Sequence, residues 1–344
     1  MTATQPATQT RGPRPAAPRL IPILAQLRRS GVLIPLVILF TVLAFASAPF
    51  ATSANLLNLI DQQSSILIIA AAGTLLFVSG GFDLSVGAVY ALSGVVSAGL
   101  AQQGSGPIAG LAGLALGALV GLVNGLVVVY LRVNALIATL AVSFVVLGVA
   151  SLATSGNSIT LYSQPGYGVL AQTRILGVLS STWITLIVVC VLGVALWATT
   201  FGRYLYAVGG NENAARLAGV RVSGVRIAAF VISGTAAGLG GLIDSSRVLS
   251  AQASNGGDAL TFTVIASIVV GGTSIMGGEG TVWKSVVGVM FLALIGNGYN
   301  LLGLDPLYQQ ITLGALILLS VSLHGLGRVV QRLRRLSTFR LPVR

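Results

Sequence analysis

Charge is what this chain has least of. Of its 344 residues only 8% are charged and seven are acidic, and there is a single histidine and a single cysteine. Each scarcity closes a class of function. One cysteine, Cys190, inside an apolar run, leaves no intrachain disulfide to form. One histidine, His324, has no second ligand candidate beside it, which argues against a metal centre. No Ser-His-Asp array and no close pair of carboxylates is visible, so no catalysis is expected from the chain itself. Residues 271–280 hold five glycines but not the G-x-x-x-x-G-K-[ST] spacing of a phosphate-binding loop, so no nucleotide or other cofactor is expected. The first thirty residues lack an early apolar core. With Arg11, Arg14, Arg19, Arg28 and Arg29 among Pro and Thr, they read as a disordered basic cytoplasmic tail and not as a cleaved signal.

What the chain does have is apolar surface. It is 55% hydrophobic, with a mean hydropathy of +0.93. No soluble domain needs so much, and the fold class that follows is an all-α polytopic membrane protein, its main solvent being lipid. The 44 glycines suit close helix approach in a bilayer. Ten spans are predicted, at about 32–50, 56–78, from just after Asp83 to 101, 107–131, 135–153, 182–200, 227–245, 259–275, 282–302 and 306–323. A kink is expected in the first at Pro35. The longest loop on its side covers 154–180. The net charge of +12 could suggest nucleic acid. The arginines, however, gather in tails and loops between apolar runs, which is the positive-inside pattern and needs no nucleic-acid partner. With ten spans, all the basic residues except Arg174 and Arg247 fall on the side of both termini. That side is therefore cytoplasmic. The predicted organisation is a basic tail over 1–30, a transmembrane domain over 31–324 with a cytoplasmic loop at 201–226, and a second basic tail over 325–344.

The two halves echo each other. Gly80-Gly81-Phe82-Asp83-Leu84-Ser85 opens the third span and Gly256-Gly257-Asp258-Ala259-Leu260-Thr261 the eighth. Asn134 opens the fifth, and Asp305-Pro306 the tenth. The members of each pair lie on opposite membrane faces, which suggests an inverted repeat of spans two to five with seven to ten. Asp83 and Asp258 are read as helix caps or gates, Asp83 accepting backbone N–H bonds near Ser85 and Val86. Asp61, followed by Gln62 and Gln63, breaks the second span. It is either a functional intramembrane carboxylate or a residue facing water near the outer interface. Gln62, Gln63, Asn124, Asn297 and Asn300 are candidates for a polar pathway, against the simpler reading of helix-to-helix hydrogen bonds.

The cytoplasmic stretch 201–226 carries the strongest local signals. Asn211 is a good N-cap, Glu212 suits the first turn, and Gly219 suits the C′ position. Glu212 and Arg216 stand four apart in the favoured order. A helix of about two turns is too short to persist alone in water, so a partner must hold it. This stretch, GGFDLSVG at 80–87 and VVGGTSIMGGEGT at 269–281 together resemble the permease subunit of ribose-type importers of the ATP-binding cassette class. These are simple-sugar permeases related to those for branched-chain amino acids. The resemblance runs from about 50 to 323, with the motifs in the family's order. It implies that Gly210, Asn211, Glu212, Ala215, Arg216, Leu217 and Gly219 belong to a coupling helix that docks on an ATPase. It further implies an ABC ATPase subunit, an extracytoplasmic solute-binding protein and a second permease copy as partners, in the plasma membrane. The cargo it implies is a small neutral solute such as ribose or a related monosaccharide. The competing reading is an ion-coupled secondary transporter, which needs ionisable groups near the midplane. Here Asp61 alone is arguable.

Overall fold

The computed structural model describes residues 32–322, apart from residues 105, 306, 317, 320 and 321. The expectations for the basic tails, for His324 and for Pro306 lie outside the described residues. The helices are α1 (Leu33–Ala46), α2 (Ser53–Val78), α3 (Val86–Gln102), α4 (Gly106–Tyr130), α5 (Ala135–Thr154), α6 (Pro165–Gln172), α7 (Ser180–Ala198), α8 (Thr200–Gly210), α9 (Glu212–Leu217), α10 (Val222–Val248), α11 (Asp258–Val270) and α12 (Val282–Leu301). Residues 307–316 are helical where the tenth span is expected. Seven helical stretches among the described residues are long and apolar enough to cross a membrane by length and composition, and α1 and α3 are shorter apolar helices. Short-range chemistry sets several of the starts. Thr52, Asn134, Thr199, Asn211 and Thr281 each accept a backbone N–H of the first turn of the helix they precede.

The core forms around α10, which packs on α2, α3 and α4. Its tightest neighbour is α4, where Gly113, Gly117, Gly121 and Gly125 recur every four residues along one face. A Cβ on Gly117 would overlap the carbonyl oxygen of Gly234 on α10, and one on Gly121 would overlap that of Phe230. Gly234 meets the Gly117 carbonyl in the same way. In lipid, where apolar burial does not favour one helix surface over another, this backbone-to-backbone packing supplies the attraction.

Packing partners pair off as an inverted repeat requires. Helix α4 lies on α10 and α12 on α2; α3 lies on α10 and α11 on α2; α3 lies on α4 and α11 on α12. The caps of the fifth and tenth spans match too. Asn134 Oδ1 accepts from Leu136 N and Asp305 Oδ1 from Leu307 N, both at 2.9 Å.

The structure departs from the sequence reading in several places. Pro35 stands in the first turn of α1, where an N–H has no helical partner to lose, so it calls for no kink. The loop over 154–180 is not plain coil. It holds α6, started by Pro165, the antiparallel pair β2 (Arg174–Ile175) with β3 (Val178–Leu179), and β1 (Ile159–Thr160), which pairs with β4 (Ser250–Ala251) after α10. The eighth span stops at Val270 and not at 275, because Gly271 begins a glycine loop. Residues 201–210, read as part of the 201–226 loop, lie in helix α8.

Two of the spans are broken. After α2 the chain runs without regular structure over 80–84 before α3 starts at Val86. Helix α11, only 13 residues, starts after the bend at Gly256–Gly257. The two starts meet: the backbone of Gly87 lies against Gly256 and Gly257, and Gly87 N donates to Thr261 Oγ1 at 3.1 Å. At 1.5 Å per residue α11 covers about 20 Å, against about 30 Å of hydrocarbon. The meeting point is therefore well inside the membrane, the arrangement typical of discontinuous transporter helices.

Candidate functional site

The three sequence motifs of the resemblance converge on one spot. Helix α8 buries Gly202, Leu205 and Val208. At its end a Cβ on Gly209 would overlap the carbonyl oxygen of Val78, the last residue of α2. The same oxygen accepts from Gly278 N at 2.9 Å. Gly277, at φ +83°, fits between Gly80 and Gly209. Tyr206 donates its hydroxyl to the Gly280 carbonyl at 2.6 Å. Burial raises the Tyr206 phenol above its ordinary value, so it stays a donor at physiological pH. The chain ends around 80, 209 and 278 thus form one glycine-lined clamp, and the glycine-rich segment serves backbone packing.

On this clamp stands α9. The Asn211 side chain accepts from Ala214 N at 3.0 Å. Gly219, at φ +82°, donates its N–H to Arg216 O, and Val220 N donates to Ala215 O, both at 3.0 Å. This is the full Schellman ending, with the left-handed residue at C′. Glu212 bridges two cations, Arg216 at 2.7 Å and Arg226 at 2.8 Å, the second tying α9 to the first turns of α10. Exposed pairs of this kind contribute about 0.3–0.5 kcal/mol, so they orient the helix more than they hold it. Only Ala215 of α9 is buried, and Leu217 is 90% exposed. Helix α9 is thus a well-capped six-residue helix with an exposed leucine at its end.

The carboxylates that the sequence singles out sit in different surroundings. Asp83 is buried before α3. Its Oδ1 accepts from Ser85 N at 2.9 Å and Ser85 Oγ at 2.6 Å, and its Oδ2 from Ser233 Oγ at 3.2 Å. The expected bond to Ser85 is made, and no bond from Val86 accompanies it. Asn124, also buried, donates to Ser85 Oγ at 2.8 Å. Asp83 thus gathers the loop, α4 and α10 around the break. Asp61 is buried between α2 and α7, where Thr182 donates to it; Thr182 carries no sequence signal that singles it out. Gln62 is exposed and Gln63 partly so. Asn297 exchanges reciprocal hydrogen bonds with Asn55 at 3.0 and 3.1 Å, while Asn300 is exposed. Asp258 is not the cap of α11. Gly257 occupies that position, and Asp258 stands exposed in the first turn. Among the described residues no three His, Cys, Asp or Glu side chains gather in a way that could hold a metal ion.

Comparison with known proteins follows the same outline. Residues 55–321 match the family described as branched-chain amino acid transport system / permease component. The chain is 38% identical over 301 residues to the ribose import permease protein of Escherichia coli K12, covering 86% of this chain and 94% of that protein. It is 34% identical over 322 residues to the galactose/methyl galactoside import permease protein of the same strain, covering 88% and 96%. It is 35% identical over 296 residues to the L-arabinose ABC transporter permease protein of Azospirillum brasilense, covering 86% and 87%. No solved structure matches the chain.

Proposed function

The chain belongs to the branched-chain amino acid transport system permease family, and on that basis we propose that it is the membrane subunit of an ATP-driven importer of monosaccharides. The relatives named for ribose, galactose and arabinose, each matched along nearly its whole length, support the cargo class. What supports the mechanism most is the projecting α9, tied by Glu212 and Arg226 to α10, the central helix of the core. In this reading Gly210, Asn211, Glu212, Ala215, Arg216, Leu217 and Gly219 form the contact with a separate ABC ATPase. The clamp at Gly80, Gly209 and Gly277 passes its motion to α2 and, through residues 80–85, to the broken span α3. The chain itself is non-catalytic.

Two small cavities, one beside Tyr90 and Asp244 and one beside Phe77 and Asp83, each have room for about a single water. In this reading the pathway lies between this chain and a second copy, and a solute-binding protein delivers the sugar from the outer side. Both termini and α9 are cytoplasmic, in keeping with the basic residues on that side. The test is reconstitution into proteoliposomes with and without the ATPase and binding protein, reading uptake of labelled ribose, galactose and arabinose. Uptake is expected to need ATP, to survive collapse of the proton gradient, and to persist in part with Asp61→Asn. Uptake that follows the proton gradient with ATP held constant would establish the ion-coupled reading instead.

A further inference from the structure

The mid-membrane break leaves one carboxylate in an unusual position. Helices α2 and α11 run toward the same loop, since Gly278 bonds the end of α2 and Gly271 follows the end of α11. Gly73 of α2 also packs against Ile268 of α11. Counting back along each helix at 1.5 Å per residue, Gln63 and Asp258 both stand about 20 Å from that loop. A membrane hydrocarbon layer about 30 Å thick includes that level. Asp258 is exposed there, and among the described residues it makes no ion pair and accepts no hydrogen bond. A bare carboxylate at such depth does not face lipid, because the cost of its charge is too high; it faces a partner or water.

One helical turn further on, Phe262 is 56% exposed on the same face of α11, with Ala259 exposed between them. Other exposed aromatic and aliphatic side chains, such as Phe144 and Ile137 on α5, stand among apolar neighbours and suit lipid. Within the described helices, α11 alone carries an acid and an aromatic ring at i and i+4. That pairing has a chemical meaning. A carboxylate accepts two hydroxyl hydrogen bonds at once, and a flat ring offers an apolar platform to the C–H face of a sugar.

We propose that Asp258 and Phe262 form a transit site for the sugar, lining the pathway at the level where the broken helices meet. This rests on the monosaccharide reading above. The carboxylate holds the hydroxyls and Phe262 stacks beneath the ring. The exposed polar residue of α2 nearest that level, Gln62, lies on a helix that packs against α11. With only one charged group and one ring the hold is weak, as passage requires.

The experiment has two arms. The first needs no knowledge of the cargo. Ala259→Cys and Phe262→Cys, each in a Cys190→Ser background, are treated with a water-soluble methanethiosulfonate in the assembled transporter, with Phe144→Cys as the lipid-facing comparison. Positions 259 and 262 are expected to react and 144 not. Failure of both 259 and 262 to react means that the face is closed by lipid or by the second copy, and the proposal falls. The second arm reads ribose, galactose and arabinose uptake by Asp258→Ala and Phe262→Leu, with Phe262→Trp retaining the ring. Uptake is expected to fall at least tenfold in the first two and to be largely kept in the third, with co-purification of the ATPase unaltered. Wild-type rates in both Asp258→Ala and Phe262→Leu would overturn the assignment. Absence of uptake by the wild type would refute the monosaccharide reading while leaving the thiol arm to decide the location.

Discussion

Gly209 and Gly210 are chemically identical neighbours in environments of opposite kind, and replacing each with alanine separates them. At Gly209 the new methyl group would overlap the Val78 carbonyl oxygen and come within 2.7 Å of Gly278 N. Both are backbone atoms and neither can rotate away, so α8 must retreat from the end of α2. Overpacking of this sort costs about 1–3 kcal/mol. The cost falls at the clamp, where the Val78 carbonyl also accepts from Gly278 N. At Gly210 a methyl group meets nothing within 4 Å, and the residue has no positive φ. There alanine should be neutral or stabilise the end of α8 by up to about 1 kcal/mol, through reduced unfolded-state entropy. The assay is thermal unfolding of the detergent-solubilised permease, alongside uptake with the ATPase present. Gly209→Ala should lower the melting temperature and uptake, and Gly210→Ala should leave the melting temperature unharmed. Equal damage from both, or none from Gly209→Ala, would refute the clamp.

The remaining predictions concern topology and core packing. In a Cys190→Ser background, Gln172→Cys should react with an impermeant thiol reagent from outside and Asn213→Cys only after the membrane is opened; labelling of both from one side would contradict the placement of α7 as a crossing. Gly117→Val should sharply reduce the yield of folded permease, because its side chain would displace the backbone of α10 near Gly234; normal yield would show that the α4–α10 contact is looser than described.

Much of this architecture was legible because its causes are local. Span positions follow from runs of apolar residues, and Asn211, Gly219 and Glu212 announce α9 through capping chemistry that acts over a few residues. The inverted repeat shows through matching caps at Asn134 and Asp305. What stayed hidden depends on distant partners. Residues 201–210 read as loop because Arg203 and the glycines at 202, 209 and 210 interrupt the apolar run that precedes them. Only the end of α2 and the loop at 277–280 give them a surface to bury against. Asp258 read as a cap because Asp at a helix start usually is one. Gly257, at φ +79°, took that position when the chain bent against Gly87. Thr182, Ser233 and Asn55 have no pattern of their own; each matters only through the side chain it meets from another helix.

The central claim is that α9 is the contact with an ATPase, and Leu217 tests it most directly. Its side chain is 90% exposed, so Leu217→Asp leaves the packing of the permease as it is. Covered by a partner, a leucine contributes about 1.5–3 kcal/mol, or roughly tenfold to a hundredfold in affinity, before the added cost of burying a carboxylate. The measurement is co-purification of the ATPase with wild-type and Leu217→Asp permease inserted to equal levels in the membrane. The account predicts normal insertion and melting temperature, with the ATPase largely lost and sugar uptake lost with it. Equal recovery of the ATPase together with wild-type uptake would contradict it.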